Sequence, residues 1–328
     1  MTITPQFLMR QHTRFWKNLY FSARIRKRID RTHTIKPGDV LLLALSDRWD
    51  DRLAQFCNYY RALGVSHFLF IDHGKDQQCR NIVRDMDDVS VFSASGKRRQ
   101  AGNGYEWRNI ILKRYATRNF CLLADPGEYL VFPFKEDRAI GELANFLKNE
   151  RKDCLHGIMI DGYSRNPDDI AAAAGTEDDP FAICPYFDRD GYYHRNLGAA
   201  DALVKGGPSL RLAAYPEPND SPAINRVVGV WWRWSYYFIN DGRTLRPPKM
   251  MRIFDWKNPV VNVAMFRFPE IEARQGGMPH AEMITAYGKE VANAVANNRN
   301  FYVDGISEKF SSSSALMEMG IISSGNWI

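Results

Sequence analysis

The sequence has no apolar run near the roughly 18 to 20 residues that a membrane span requires. Its most hydrophobic stretch, Val40–Leu45, is strand-sized. Cysteine is sparse and scattered: Cys57, Cys79, Cys121, Cys154 and Cys184 are odd in number and never form C-x-x-C. That excludes a disulfide scaffold and a zinc ribbon, and fits a reducing compartment. Neither G-x-G-x-x-G nor a P-loop occurs, which disfavours dinucleotide and NTPase readings. The histidines form no H-E-x-x-H pair. The start, Met1–Arg10, is too polar for a secretory signal, so the expected location is cytoplasmic. With 45% hydrophobic and 25% charged residues the chain is neither disordered nor collagen-like. Its 328 residues allow one large or two modest domains.

Negative charge is scarce at one end. Residues 1–36 hold nine Lys or Arg against the single acid Asp30, a local charge of +8, so the remaining 292 residues carry −2. The body is therefore nearly neutral, and a nucleic-acid partner, which wants a basic face on the folded domain, is not expected. Within this arm Phe15, Trp16, Leu19, Tyr20 and Ile25 interleave with the bases. Residues 10–36 so patterned fit an interfacial helix on an anionic membrane surface, peripheral on the inner face. They also fit a solvated helix or tail packed on the domain edge. Pro37-Gly38 then punctuates the chain.

The body alternates strand and helix signals. Val40–Leu45, His67–Ile71, Val89–Phe92 and Phe120–Ala124 read as strands. Between them Leu53, Phe56, Cys57, Tyr60 and Leu63 fall at helical spacing before Gly64, a short helix is expected over Asn81–Met86, and another over Trp107–Tyr115. Such alternation predicts an α/β fold with a mainly parallel sheet. Tyr129–Phe132 and Gly157–Ile160 continue as strands and Ile140–Asn149 as a helix. Residues 164–226 read as long loops with embedded short elements, Ala281–Asn298 as a last helix, and the serine run Ser311–Ser314 with the segment to Ile328 as peripheral.

Three expected strands end at a carboxylate: Asp72, Asp125 and Asp161. Aspartate caps turns and helices, so one such acid carries no chemistry, but ligands of parallel sheets bind beyond strand carboxyl ends. In Asp125-Pro-Gly-Glu128 two acids have the oxygen chemistry for Mn²⁺ or Mg²⁺; by spacing alone a plain Pro-Gly turn with solvated acids is the stronger reading. Trp231–Phe238 is unusually aromatic, either a sugar-stacking shelf or a core strand.

Residues 40–133 resemble the nucleotide-sugar-binding half of GT-A glycosyltransferases, closest to the family-2-like branch of bacterial cell-surface polysaccharide pathways. The likeness is carried by Tyr59-Tyr-Arg-Ala-Leu-Gly-Val-Ser-His-Phe-Leu-Phe-Ile-Asp-His-Gly74, by Trp107-Arg-Asn-Ile-Ile-Leu112, and by Leu123-Ala-Asp-Pro-Gly-Glu-Tyr-Leu-Val-Phe-Pro133. It extends to Gly206-Gly207 and Met265–Phe268. It implies a Rossmann-like, mixed but mainly parallel sheet flanked by helices. The arm would span 1–38, the nucleotide-sugar half 39–135, and a loop-rich acceptor half with C-terminal helices 136–328. It implies a nucleotide-sugar donor, a glycan or lipid-linked acceptor, and a divalent cation.

By the same resemblance Asp72 and Asp125 would meet the donor, Asp125 and Glu128 the metal, and Trp107 falls in the matching motif; His73, Lys75 and Arg108 join the expected donor-binding set by position at the site edge and by their charge. The chain departs from the family at four polar positions. Gly127 stands where the second metal-binding Asp belongs, Arg48-Trp49 where Asn-Glu is usual, and Met265 where His is usual; Asp72-His-Gly-Lys-Asp76 replaces an Asn/Ser pattern. Those changes fit chemistry that leans less on metal, or retained binding without transfer. Lys75, Arg108, Arg246 or Lys249 would then clamp the diphosphate. An inverting transfer needs a base, for which Asp161, Asp188 and Asp190 are the candidates. An unrelated α/β nucleotidyltransferase, which also needs acids at strand ends, is the remaining alternative.

Overall fold

The computed structural model describes residues 16–75, 77–166, 170, 179–196, 202–212, 223–234, 236–240, 243–245, 261–274, 289 and 293–328. A nine-stranded mixed sheet organises them. In chain order come β1 (Ile25–Ile29), β2 (Val40–Ser46), α1 (Leu53–Ala62), β3 (His67–Asp72), α2 (Gln78–Ile82), β4 (Val89–Ala94), α3 (Tyr105–Ile111), β5 (Phe120–Leu123) and β6 (Glu128–Val131). There follow α4 (Ile140–Asn149), β7 (Cys154–Asp161), α5 (Pro180–Ile183), β8 (Tyr186–Asp188), β9 (Tyr193–Asn196), β10 (Ala202–Lys205) and α6 (Pro208–Leu212). The last elements are β11 (Asn225–Trp231), β12 (Tyr237–Asn240), β13 (Arg243–Leu245), β14 (Asn262–Arg267), α7 (Pro269–Arg274), β15 (Ser307–Lys309) and α8 (Ser313–Glu318).

The sheet order is β1-β4-β3-β2-β5-β11-β7-β14-β6. Strands β4, β3, β2 and β5 run parallel, as does the pair β7–β14; β1, β11 and β6 run against their neighbours. The expected mainly parallel sheet is thus evenly mixed, because β11 enters between β5 and β7 and β1 and β6 close its two ends antiparallel. Strand β1 belongs to the basic arm, and β11, β7 and β14 stand between β5 and β6, so arm, first half and second half share one sheet.

Alternation decides which residues meet which layer. On β2, Leu42 and Ala44 face the layer of α1 and α4, while Leu41, Leu43 and Leu45 face α3. On β5, Phe120 and Leu122 join the first layer and Cys121 and Leu123 the second. Both faces are covered, which is why these strands read as unbroken apolar runs. Helix α1 buries Leu53, Phe56, Cys57 and Tyr60, at its predicted spacing, and Gly64 ends it at φ +98°. The short helix expected over Asn81–Met86 lies earlier, at α2, and the helix after Trp107 passes into a π-turn over Leu112–Ala116. All five cysteines are free and buried.

The C-terminal segment is not peripheral. Ser312 caps α8 through a bond from the Ala315 N–H (3.1 Å), and Ser313 is bound by Glu136. Leu316, Ile321, Ile322 and Trp327 then enter the main core. The serine run starts a helix rather than a tail, because hydroxyls satisfy its first N–H groups. In the aromatic run, Trp231, Trp232, Tyr236 and Phe238 are buried and Trp234 is 72% exposed, so core packing is what most of it does. The helix expected over Ala281–Asn298 lies largely outside the described residues; residues 293–296 are helical. No helix among the described residues is long and apolar enough to cross a membrane.

Two histidines sit inside the sheet. Burial pushes His67 down to about 4, and its ring meets Ser90 Oγ (3.0 Å) and Thr34 Oγ1 (3.3 Å). Burial likewise pushes His156 down to about 3. A folded-state value below the unfolded one means the unfolded chain binds the extra proton, so stability is complete above about 6.5 and is lost as pH falls. His67 is expected to cost about 2 kcal/mol between pH 7 and pH 5. Urea unfolding across that interval should show the loss, and His67→Gln should reduce its slope with His156 still contributing.

Candidate functional site

The C-terminal ends of β2, β3, β4, β5, β7 and β14 share one edge, and the antiparallel β11 and β6 begin there. Asp72, Asp125 and Asp161 all stand at this edge, as the sequence predicts. They do not form one cluster. Asp72 closes β3 and turns toward the α1 layer, where its Oδ1 accepts from Trp49 Nε1 (3.0 Å) and from the Gly74 N–H (2.9 Å). Asp125 turns toward the α3 layer: Oδ1 accepts from the Leu45 N–H (2.7 Å) and Oδ2 from Arg108 (2.5 Å). The two carboxylates therefore straddle the tip of β2, whose Ser46 pairs with Asp72.

Asp125 and Glu128 do meet. The Glu128 Oε2 accepts the Asp125 N–H at 2.8 Å, and Arg226 forks onto both Glu128 oxygens at 2.8 Å while donating to the Leu123 carbonyl at 2.8 Å. A geometric demand explains this stitching. In a flat sheet β5 and β6 would lie four strand spacings apart, roughly 19 Å. Five residue steps, Leu123 to Glu128, reach at most roughly 18 Å. The sheet must curl at this corner, and Arg226, at the start of β11, ties both ends of the link.

This arrangement does not fit the expected divalent cation. All four oxygens of Asp125 and Glu128 are engaged by N–H donors, two of them guanidinium groups. A cation would have to expel buried arginines of its own sign. Gly127, at φ +87°, offers no ligand, and a Cβ there would lie 2.9 Å from Glu272 Oε1. An Asp at this position would be strained by the left-handed backbone and would bring a second carboxylate beside that of Glu272, whose side chain would have to shift. No group of three metal-type side chains occurs among the described residues.

The remaining expected donor residues divide by exposure. His73 is half-buried, its Nδ1 3.2 Å from the Ala94 carbonyl and its ring 4.7 Å from that of Trp107. Trp107 is fully enclosed behind it. Lys75 is exposed, on the loop after β3, and Arg48 is exposed on the loop after β2. Arg108 is buried in its pair with Asp125. Arg246 and Lys249 lie outside the described residues, as does Asp76. Met265 is wholly buried, its sulfur 3.6 Å from the Tyr60 hydroxyl, so it packs in the core.

The candidate bases lie at the end of β7 and on and just after β8, also with arginine partners. Asp161 is held by Arg267. Asp188 is buried, forked by Arg211 (2.8 and 3.2 Å) and bonded by the Tyr163 hydroxyl (2.6 Å). Burial, with the Asp188 charge beside it, raises the Tyr163 hydroxyl, so it stays protonated and donates. Asp190 is exposed and pairs with Arg189 at 3.0 Å. Sequence reasoning missed Arg226, Arg267, Arg211, Glu272 and Glu106. Glu106 is buried at the start of α3 and accepts from the Tyr237 hydroxyl at 2.5 Å. Their signal is only spatial, since each partner is remote in sequence.

No family model matches the chain, and no curated protein matches it.

Removing one member of a buried pair strands the other charge. Arg226→Ala is expected to cost about 3–5 kcal/mol, read by urea unfolding, and the double change Arg226→Met with Glu128→Leu should recover part of it. Gly127→Asp should lower stability by about 1–3 kcal/mol through its left-handed backbone, with no gain in melting temperature on adding Mn²⁺.

Proposed function

We propose that the chain is a glycosyltransferase of GT-A type, moving a sugar from a nucleoside diphosphate to a glycan or lipid-linked acceptor. What supports the reading is the shared edge, with Asp72, Asp125 and Asp161 at the carboxyl ends of three co-directional strands of one sheet, and not a common carboxylate crevice, since Asp72 and Asp125 turn toward opposite layers. That edge is where open α/β sheets take ligands. The motif order resembling the family supports it independently.

Sugar transfer breaks the bond between the anomeric carbon and the diphosphate oxygen, leaving positive charge on carbon and negative charge on the leaving group. On this reading the exposed cations Arg48 and Lys75, on neighbouring loops, neutralise the diphosphate. Arg108 is a positioning residue that holds Asp125. Of the three candidate bases, Asp190 is the one whose use as a base would break no buried ion pair.

A second reading, binding without transfer, is favoured by one specific observation. The acids that would serve a metal and a base are largely committed to internal arginines. Calorimetry with UDP-, GDP- and CMP-sugars, with and without Mn²⁺, followed by donor-hydrolysis assays with acceptors, separates the two. Donor binding that Mn²⁺ leaves nearly unchanged, with turnover, is the expected result. Binding without turnover selects the second reading, and silence against every nucleotide sugar abandons both. Lys75→Ala, an exposed change, should weaken donor binding at least roughly ten-fold, the scale of one charge-assisted hydrogen bond.

A further inference from the structure

Three segments remote in sequence, residues 16–29, 95–104 and 113–118, together contain eleven Lys or Arg and no Asp or Glu. The fold brings them together. The Ser95 N–H donates to the Arg24 carbonyl at 3.1 Å, and a Cβ on Gly96 would lie 3.7 Å from Arg24 Cδ. Arg114 donates to Ser22 Oγ, and Lys27 lies 5.6 Å over the Tyr115 ring. Lys17, Arg26, Arg28, Lys97, Arg99 and Arg114 are exposed.

Beside these cations stands an exposed apolar group. Residues 16–22 are helical, and Trp16, Leu19 and Tyr20 fall within one arc of that helix. They are 59%, 53% and 47% exposed, whereas Phe21 on the other side is buried against the sheet at 5%. The Arg24 guanidinium stacks 3.4 Å over the Tyr20 ring. Basic side chains on an edge strand also discourage pairing with other chains, which accounts for Arg26 and Arg28 on β1. It does not account for the exposed helix face or for the Lys97–Arg99 run, which is not on a strand.

We infer that this composite face docks on an anionic lipid bilayer, with Trp16, Leu19 and Tyr20 entering the headgroup region and the three basic segments meeting its negative charge. Tryptophan and tyrosine have the amphipathic rings that interfaces favour. Leucine gains by leaving water for acyl chains, whereas a nucleic acid has no comparable apolar layer to receive it. The charge complement is local, since residues 37–328 carry −2 overall. The 95–104 segment leads directly into α3, which carries Glu106 and Arg108, so the docked face borders the candidate site. The inference does not depend on the proposed transfer activity.

Co-sedimentation of the full chain with phosphatidylcholine vesicles, and with vesicles one third phosphatidylglycerol, tests it. Binding to the anionic vesicles alone is expected. Each cation near such a surface strengthens partition roughly five-fold, so Lys97→Glu with Arg99→Glu should weaken binding more than ten-fold. Trp16→Ser with Leu19→Ser should weaken it too, although no charge changes. Circular dichroism melts of both variants should match the parent, because the altered side chains are exposed or lie in a loop. Absence of binding to anionic vesicles, or binding undiminished in the first variant, overturns the inference. An aromatic variant that binds like the parent, with a labelled oligonucleotide bound equally well, assigns the face to nucleic acid instead.

Discussion

The corner between β5 and β6 is held by buried guanidinium–carboxylate pairs, and most of what distinguishes this protein follows from them. A link of four residues joins strands that the sheet order separates by three others, so the backbone must turn back at the edge. Arg226 satisfies Glu128 and the Leu123 carbonyl together, while Arg108 holds Asp125 against Leu45. Buried ions require partners. Once the acids of this corner are bound to arginines, they serve the fold first and are a poor cation site.

The same economy runs through the residues that carry the family resemblance. Tyr59 and Tyr60 donate to the Leu130 and Glu128 carbonyls at 2.7 and 2.9 Å, clamping α1 onto β6. Arg61 forks onto Asp88 at 2.6 and 2.7 Å, joining α1 to the start of β4. Asn109 exchanges two bonds with the Phe238 backbone, fixing β12 to α3. Much of the stretch that carries the resemblance is therefore framework in this chain. Gly127 lies against the Glu272 carboxylate and Met265 packs in the core against the Tyr60 hydroxyl.

Charge is divided by layer in a comparable way. Of the acids at the strand tips, Asp125, Glu128 and Asp161 are buried against arginines and Asp72 is held by Trp49 and the Gly74 N–H, while exposed cations gather on the surface around β1 and the segments before and after α3. The first arrangement stabilises a curled sheet edge. The second leaves a long-range field on one side of a nearly neutral body.

The apolar periodicity by itself determined β2, β3, β4, β5, α1 and α4, because burial on one or both faces dictates spacing that survives in linear order. It also placed Asp72, Asp125 and Asp161 at strand ends, since a carboxylate after an apolar run ends it. It could not reveal that β11 enters between β5 and β7, that the serine-rich segment caps a core helix, or that Arg226 and Arg108 neutralise the predicted metal ligands. The strand order and the arginine pairs depend on partners up to about a hundred residues away, and the docking of the serine-capped helix depends on Glu136, 177 residues before Ser313; hydrogen bonding across such gaps leaves no periodic trace in the chain. Tertiary structure alone decided which carboxylates meet water and which meet arginine, because that choice is set by the curl of the sheet and not by neighbours in sequence.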